Sequence, residues 1–336
     1  MLAALLFGVS TPLVQRFGAG VGAFTTAALL YAGAAAVGAL SRRRVEREAR
    51  LLRGDAPRLL AMAAFGAVVG PVALAWGLQR TSGTSASLML TLEALFTAVL
   101  AWRFYRETLD ARVGAALLLL LAGGMVLVLD QGRGGGAQLW GVLAVLLATA
   151  AWGIDNTLSR ALAERDPGQV VLAKAALGAL ATALLAVAFG EPLPAAPAML
   201  ALFVVGATGY GLSLRFYLLA QRAFGAARTG SMFAFAPFIG AAFAVWLGDR
   251  SPGWMMAVGS VLMLAGVMLH LAESHGHDHD HESMEHVHAH RHDDGHHDHS
   301  HEHDVALASA HSHRHRHEPL RHQHHHVPDA HHAHRH

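Results

Sequence analysis

The chain contains no cysteine, and none of its 26 histidines precedes His270. Disulfide bonds are therefore excluded, and residues 1–269 cannot supply the thiolate or imidazole ligands that bind transition metals tightly. Charged residues are also scarce, at 15% of the chain against 53% hydrophobic residues. This balance excludes an ordinary soluble globular domain and favours a protein that lies in a lipid bilayer.

Motifs for nucleotide hydrolysis and for common enzyme chemistry are missing as well. The sequence has no Walker loop, no HExxH and no GxSxG, so an ATP-driven pump and an enzyme are both unexpected, and no cofactor is required. Basic residues concentrate in the loop at 42–58. This pattern is typical of a membrane topology signal rather than of a nucleic-acid surface, and no nucleic-acid partner is expected.

Apolar stretches of roughly the length that crosses a bilayer recur through the first 272 residues. They lie at 1–15, 20–41, 58–78, 84–104, 112–130, 138–160, 168–189, 197–219, 226–247 and 252–272. The first is short, but it lacks the basic n-region of a signal peptide. The sequence therefore predicts an all-α polytopic membrane protein with ten transmembrane helices.

The arginines between these stretches predict the orientation. If the N-terminus is cytoplasmic, one side carries Arg42, Arg43, Arg44, Arg47, Arg50, Arg53, Arg58, Arg103, Arg106, Arg112, Arg160, Arg165, Arg222 and Arg228, and the other Arg16, Arg80, Arg133 and Arg250. The excess of positive charge faces the cytoplasm in membrane proteins. Both termini are therefore predicted to be cytoplasmic, in a multi-pass plasma (inner) membrane protein.

The two halves of the membrane part repeat each other. A shift of 142 residues superimposes 73–130 on 215–272 without a gap and aligns Glu107 with Asp249 and Gly124 with Gly266. Each copy holds five apolar stretches, and an odd number of crossings makes the second copy enter the bilayer inverted. We therefore expect a first repeat at 1–130, a second at 138–272 and a separate tail at 273–336.

Several segments carry a resemblance to a known family. They are LLFGVSTPLVQRF at 5–17, ASLMLTLEALFTAVLAW at 86–102 and AAWGIDNTLSRAL at 150–162. Together they resemble EamA-type members of the drug/metabolite transporter superfamily. The resemblance implies two inverted five-helix repeats and passage of a small solute through a central cavity. The position corresponding to Pro237 holds Leu95, so a symmetric pair of proline kinks is not supported.

A polar cluster contributed by equivalent helices of the two halves is the leading candidate for the solute site. Ser10 and Thr11 in the first stretch correspond to Asp155 and Asn156 in the sixth. Two prolines accompany them, since Pro12 and Pro237 each remove a backbone donor and should kink a helix.

Ionisable residues deep in the apolar stretches are few: Glu93, Asp155, Lys174 and Arg215. Holding a charge there costs several kcal/mol unless it is paired or hydrated. Lys174 and Arg215 are long enough to extend to the cytoplasmic interface. Glu93 or Asp155 can carry a coupling proton, and the alternative is a static ion pair of one of these acids with Arg215.

The last 62 residues hold 25 histidines, interleaved with acids and arginines. Such a composition has little apolar surface to bury and predicts disorder. Alternating HxH runs offer interchangeable ligands for Zn, Ni, Co or Cu. The candidate ligands are His277, His279, His281, His286, His288, His290 and His292. A pH response of the same imidazoles is the alternative role.

We therefore expect a secondary transporter of a small metabolite or toxic solute, whose partners are the lipid bilayer, the solute and a coupling proton. A homodimer is compatible with the sequence. One alternative is a transporter of divalent transition metals such as Ni, Co or Zn. Another is a membrane-tethered metal buffer or sensor that acts through the tail.

Overall fold

A computed structural model describes residues 1–41, 50–105, 111–133, 135–159, 162, 165–224, 226–249, 253–271, 276–280, 284–290, 311–317 and 321–325. Up to Leu271 the regular secondary structure in these ranges is helical. The first half contains α1 (Leu2–Phe17), α2 (Ala23–Leu40), α3 (Ala56–Met62), α4 (Gly70–Leu78), α5 (Gly83–Met89), α6 (Leu92–Tyr105) and α7 (Ala111–Arg133). The second contains α8 (Gly136–Ser159), α9 (Pro167–Ala188), α10 (Ala196–Val205), α11 (Ser213–Phe224), α12 (Ala226–Phe233), α13 (Ala236–Trp246) and α14 (Trp254–Leu271).

Short segments of other geometry join some of these helices. A 3-10 turn at Arg53–Asp55 precedes α3, a π-helix at Ala63–Val69 joins α3 to α4, and a π-helix at Gly206–Leu212 joins α10 to α11. Among the described residues, eight continuous helical segments are long and apolar enough to cross a membrane. Two shorter apolar helices, Leu2–Phe17 and Ala236–Trp246, occupy the first and ninth predicted positions. The polytopic membrane protein expected from the sequence, helical throughout its membrane part, is confirmed.

Each half contains one predicted span that is interrupted near its middle. The first interruption separates α5 from α6 at positions 90–91, and the second separates α12 from α13 at positions 234–235. Pro237 lies in the first turn of α13, where a proline removes no helical hydrogen bond. The predicted kink at Pro237 is therefore corrected to a break just before it, and the first half forms the equivalent break with Leu95 instead of a proline.

Glycines allow the helices from the two halves to approach each other closely. A Cβ atom at Gly33 would meet the backbone of Phe203 and Ala207, and one at Gly206 would meet the backbone of Leu30. Such close approach is the main source of helix association in lipid, where hydrocarbon offers no hydrophobic drive. Helix α2 is therefore held directly against the π-helix at Gly206–Leu212.

The helices α9 and α13 end in the same way. Each is followed by a glycine with positive φ, Gly190 at 65° and Gly248 at 96°, a conformation that glycine adopts without steric cost. The next residue is an acid. Glu191 accepts hydrogen bonds from the backbone of residues 24 and 25 at the start of α2, and Asp249 accepts from the amide of Thr84 at the start of α5.

These contacts bring several loops together on one side of the helical bundle. The side-chain amide of Gln15 donates to the carbonyl of Thr81, 2.9 Å away, and that of Gln79 donates to the carbonyl of Val21, 2.8 Å away. On the opposite side, Arg165 forms an ion pair with Asp55 across 2.8 Å. Hydrogen bonds thus connect loops that an alternating up-and-down path would place on a common side.

The histidine-rich tail differs from the predicted disorder in four segments. Strand β1 (Gly276–Asp280) pairs antiparallel with β4 (Arg321–His325), and β2 (Met284–His290) pairs antiparallel with β3 (His311–His317). Strand pairing satisfies backbone groups without burying a core, so the shortage of apolar residues does not prevent it. The other tail residues lie outside the described ranges.

Candidate functional site: a cavity between the two halves

A cavity of ≈ 110 Å³ lies among helices of both halves. Its walls combine aromatic, small and ionisable side chains. They are Phe7, Tyr31, Ala34, Glu93, Trp152, Asp155, Asn156, Val171, Lys174, Ala175, Gly209, Tyr210, Ser213, Leu214, Tyr217 and Phe233. Three of the predicted site residues, Glu93, Asp155 and Asn156, therefore come together in one site.

Asp155 and Lys174 form a buried ion pair in the wall of this cavity. The ammonium of Lys174 donates to Oδ2 of Asp155. Lys174 is only 7% exposed and Asp155 only 5%. The predicted extension of Lys174 to the interface is wrong, because its ammonium reaches a carboxylate inside the bundle. The alternative pair with Arg215 is corrected in the same way, since Arg215 donates instead to the carbonyl of Ser41 at 2.7 Å.

Glu93 has a neutral partner. Its Oε1 accepts a hydrogen bond from the side-chain amide of Asn156, which comes from α8, one residue after Asp155. Within the described ranges, no cation forms an ion pair with Glu93. The charge of Asp155 is thus balanced by a contacting ammonium, whereas that of Glu93 is not.

The π-helix at Ala63–Val69 shapes one wall of the site by freeing a carbonyl group. The amide of Gly70 donates to the carbonyl of Phe65, five residues earlier, and the next residue, Pro71, has no amide hydrogen. The carbonyl of Gly66 therefore loses its usual helical donors. It accepts instead from the hydroxyl of Tyr31, 2.5 Å away, and from the indole nitrogen of Trp152, 3.0 Å away.

Aromatic rings form a connected network around the cavity. The ring of Phe7 lies 6.1 Å from Trp152, 6.0 Å from Tyr210 and 5.4 Å from Phe233, measured between centroids. Tyr31 lies 5.7 Å from Tyr210. Edge-to-face and tilted pairs at these distances stabilise one another beyond the area that they bury, so the rings form a shaped wall.

One polar atom at the site, Oδ1 of Asp155, has no hydrogen-bond partner in the part of the chain that the structure describes. Asp155 is more than nine-tenths buried. An unsatisfied buried polar group costs about 1 to 3 kcal/mol, which favours a ligand that supplies the missing contact.

The remaining predicted site residues lie outside the cavity wall. Ser10 is buried, donates to the carbonyl of Phe7 at 2.6 Å, and lies behind the cavity-lining Gly209, where an added Cβ would meet it. Thr11 and Pro12 are buried within α1. The predicted cluster of Ser10 and Thr11 with Asp155 and Asn156 is therefore not assembled as a single cavity surface.

The predicted metal ligands belong to the tail. His277 and His279 lie in β1, and His286, His288 and His290 lie in β2. His281 and His292 lie outside the described residues. The register places His286, His288 and His290 opposite His315, His313 and His311, respectively.

Comparisons with known proteins agree with this architecture. A model of the EamA-like transporter family matches residues 1–129 and 139–272. An uncharacterized transporter of Methanothermobacter thermautotrophicus is 27% identical over 237 residues, which cover 68% of each chain. A protein of known crystal structure has 22% identity and a TM-score of 0.60, with 80% of this chain and 93% of the other covered. This last similarity concerns the fold alone.

Proposed function

Because the chain belongs to the EamA-like transporter family, we propose that it is a secondary transporter that moves a small metabolite or toxic solute through the central cavity. The observation that carries this proposal is the buried Asp155–Lys174 pair beside Glu93 in a cavity that both halves line. Buried ionisable residues inside a helical membrane bundle are costly and are typical of solute and ion pathways.

We further propose that the halves, 1–130 and 138–272, are inverted repeats and alternate in access around the cavity. The π-helices begin at Ala63 and Gly206, and the mid-span breaks fall at 90–91 and 234–235. These offsets of 143 and 144 residues are close to the 142-residue sequence repeat. Five spans in each half invert the second relative to the first, with both termini in the cytoplasm by the arginine distribution.

Protons are the proposed coupling ions, and Glu93 is the proposed carrier. Lys174 holds Asp155 as a charged partner, whereas Glu93 contacts a neutral amide at the cavity. A carboxylate that has no contacting cation can exchange its charge for a proton at the least electrostatic cost. This makes Glu93 the better of the two acids for coupling.

A solute screen in vesicles tests this function. Purified protein in liposomes should accumulate its solute faster with an imposed pH gradient than without one. Glu93→Gln should remove the gradient-driven component by about tenfold or more, because its amide cannot take up and release a proton. Asp130→Asn is the matched control, since Asp130 lies at the end of α7 and does not line the cavity.

Two results would contradict the proposal. Wild-type accumulation that is the same with and without the gradient would remove proton coupling. A full gradient response in Glu93→Gln would assign the proton to another group.

A second candidate function is the transport, buffering or sensing of divalent metal ions, and the histidine-rich tail is the feature that favours it. Histidines occupy paired register positions of β2 and β3, and imidazole is a ligand for divalent Zn, Ni, Co or Cu. Removing the tail after Glu273 should abolish metal binding by the purified protein and leave solute uptake in vesicles unchanged. Whole-cell metal content separates the alternatives. If expression of the truncated protein changes that content as much as the full chain does, the metal is the cargo of the membrane part.

A further inference from the structure

The ionisable residues that line the cavity leave it with an excess of negative charge. Two carboxylates, Glu93 and Asp155, face one ammonium, Lys174, so the sum is one negative charge. Lys174 is already bound to Asp155. An isolated charge in a low-dielectric interior is stabilised most by an opposite charge brought close to it, and the solute itself can provide that charge.

The aromatic residues of the cavity wall also favour a positively charged solute. The ring of Phe7 contacts those of Trp152, Tyr210 and Phe233, and all four residues line the cavity with the charged residues. Ring faces carry negative potential and attract a cation within about 6 Å of the centroid, with tryptophan and tyrosine among the strongest. The same faces do not favour an anion.

The unsatisfied carboxylate oxygen of Asp155 indicates which kind of cation would bind. Oδ1 of Asp155 has no hydrogen-bond partner among the described residues, and it can only accept a hydrogen bond when the residue is ionised. A solute that carries at least one N–H donor supplies what Asp155 lacks, whereas a quaternary ammonium does not. The volume of ≈ 110 Å³ is below the roughly 300 to 1,000 Å³ of sites for drug-sized ligands.

From these observations we propose that the solute is a small protonated amine, held between Glu93 and the aromatic rings and donating an N–H to Asp155. The proposal rests on the transport function given above and names its substrate class. Zwitterions and anions are disfavoured because their carboxylate would compete with Asp155 for Lys174.

Binding to a matched series of probes tests the charge requirement. Titration calorimetry on the full-length protein in lipid nanodiscs compares benzylammonium, benzyltrimethylammonium, benzyl alcohol, benzoate and phenylglycine. Benzylammonium should bind about tenfold or more tightly than each of the others. Equal or tighter binding of the alcohol, benzoate or phenylglycine would overturn the proposal, and tighter binding of benzyltrimethylammonium would overturn the N–H contact with Asp155.

Three variants test whether the probes bind in this cavity. Glu93→Gln should weaken benzylammonium by about tenfold and leave benzyl alcohol unchanged, since only the cation uses the charge. Phe7→Leu should weaken the binding of benzylammonium several-fold, because one aromatic ring is lost. This variant still tests the site if Glu93→Gln fails to fold. Asp130→Asn should bind every probe as the wild type does. Unchanged affinity for benzylammonium in a folded Glu93→Gln or in Phe7→Leu would exclude this site.

Uptake of radiolabelled benzylammonium into vesicles separates the two proposals. Selective binding without uptake would support the amine site and contradict transport. Uptake of other solutes from the vesicle screen, without cation selectivity, would support transport and contradict the amine site.

Discussion

Asp155→Asn is expected to lower the melting temperature of the purified protein by roughly 10 °C or more. The substitution leaves the ammonium of Lys174 buried without its carboxylate partner. Breaking a buried ion pair on one side costs about 3 to 5 kcal/mol, because the remaining charge has no compensation. The melting curve can be followed by the fluorescence of the six tryptophans in detergent.

A double variant distinguishes loss of the pair from loss of the aspartate itself. Lys174→Met alone should also destabilise the protein, since it leaves the carboxylate of Asp155 unpaired. Asp155→Asn combined with Lys174→Met removes both charges and should recover most of the lost stability. If the double variant melts at the sum of the two single losses, Asp155 and Lys174 do not act as a pair.

Gly206→Ala is expected to have the second large effect. The added methyl would overlap the backbone of Leu30, and backbone atoms cannot rotate out of the way as a side chain can. Overpacking of this kind costs about 1 to 3 kcal/mol and more where rigid elements collide. The variant should lose much of its folded yield and melt several degrees below the wild type.

Gly114→Ala is the matched control, because within the described ranges no atom beyond its chain neighbours and its own helical backbone lies within 4 Å of a Cβ atom added at Gly114. It should keep or slightly raise the stability, since alanine favours a helix over glycine by about 1 kcal/mol. A wild-type melting temperature for Gly206→Ala would show that α2 and the π-helix at Gly206–Leu212 are not in close contact.

The positions of the spans could be predicted from the sequence because the bilayer imposes long apolar stretches. The sequence could not predict which face of each helix points into the bundle. Helix α2 is apolar all round, so no periodicity indicates which residues point inward. The sequence shows Lys174 as an ionisable residue within an apolar stretch and predicts that it extends to the interface, but only the fold shows that its ammonium contacts Asp155 on the preceding helix.

The aromatic wall had a weaker signal that could have been used. The chain has only four tyrosines, and Tyr31, Tyr210 and Tyr217 all line the cavity. The hydroxyl of a tyrosine inside an apolar span usually requires a hydrogen-bond partner. Such a tyrosine is therefore expected to point into the helical bundle rather than toward lipid. The carbonyl of Gly66 can accept from Tyr31 and Trp152 only because a π-helix removes its helical donors, and the apolar pattern of this span does not distinguish a π-helix from an α-helix.

Glu191 and Asp249, the acids in the loops after α9 and α13, stabilise one conformation of the protein. Glu191 holds the start of α2 through two amides and the hydroxyl of Thr25, and Asp249 holds the start of α5 through Thr84. Hydrogen bonds to charged groups each contribute about 1.5 to 3 kcal/mol. Separating even Asp249 from its helix would lose two such bonds, about 3 kcal/mol, so that conformation would be roughly a hundredfold rarer at rest. Any cycle that opens this face must recover that difference from its ligands.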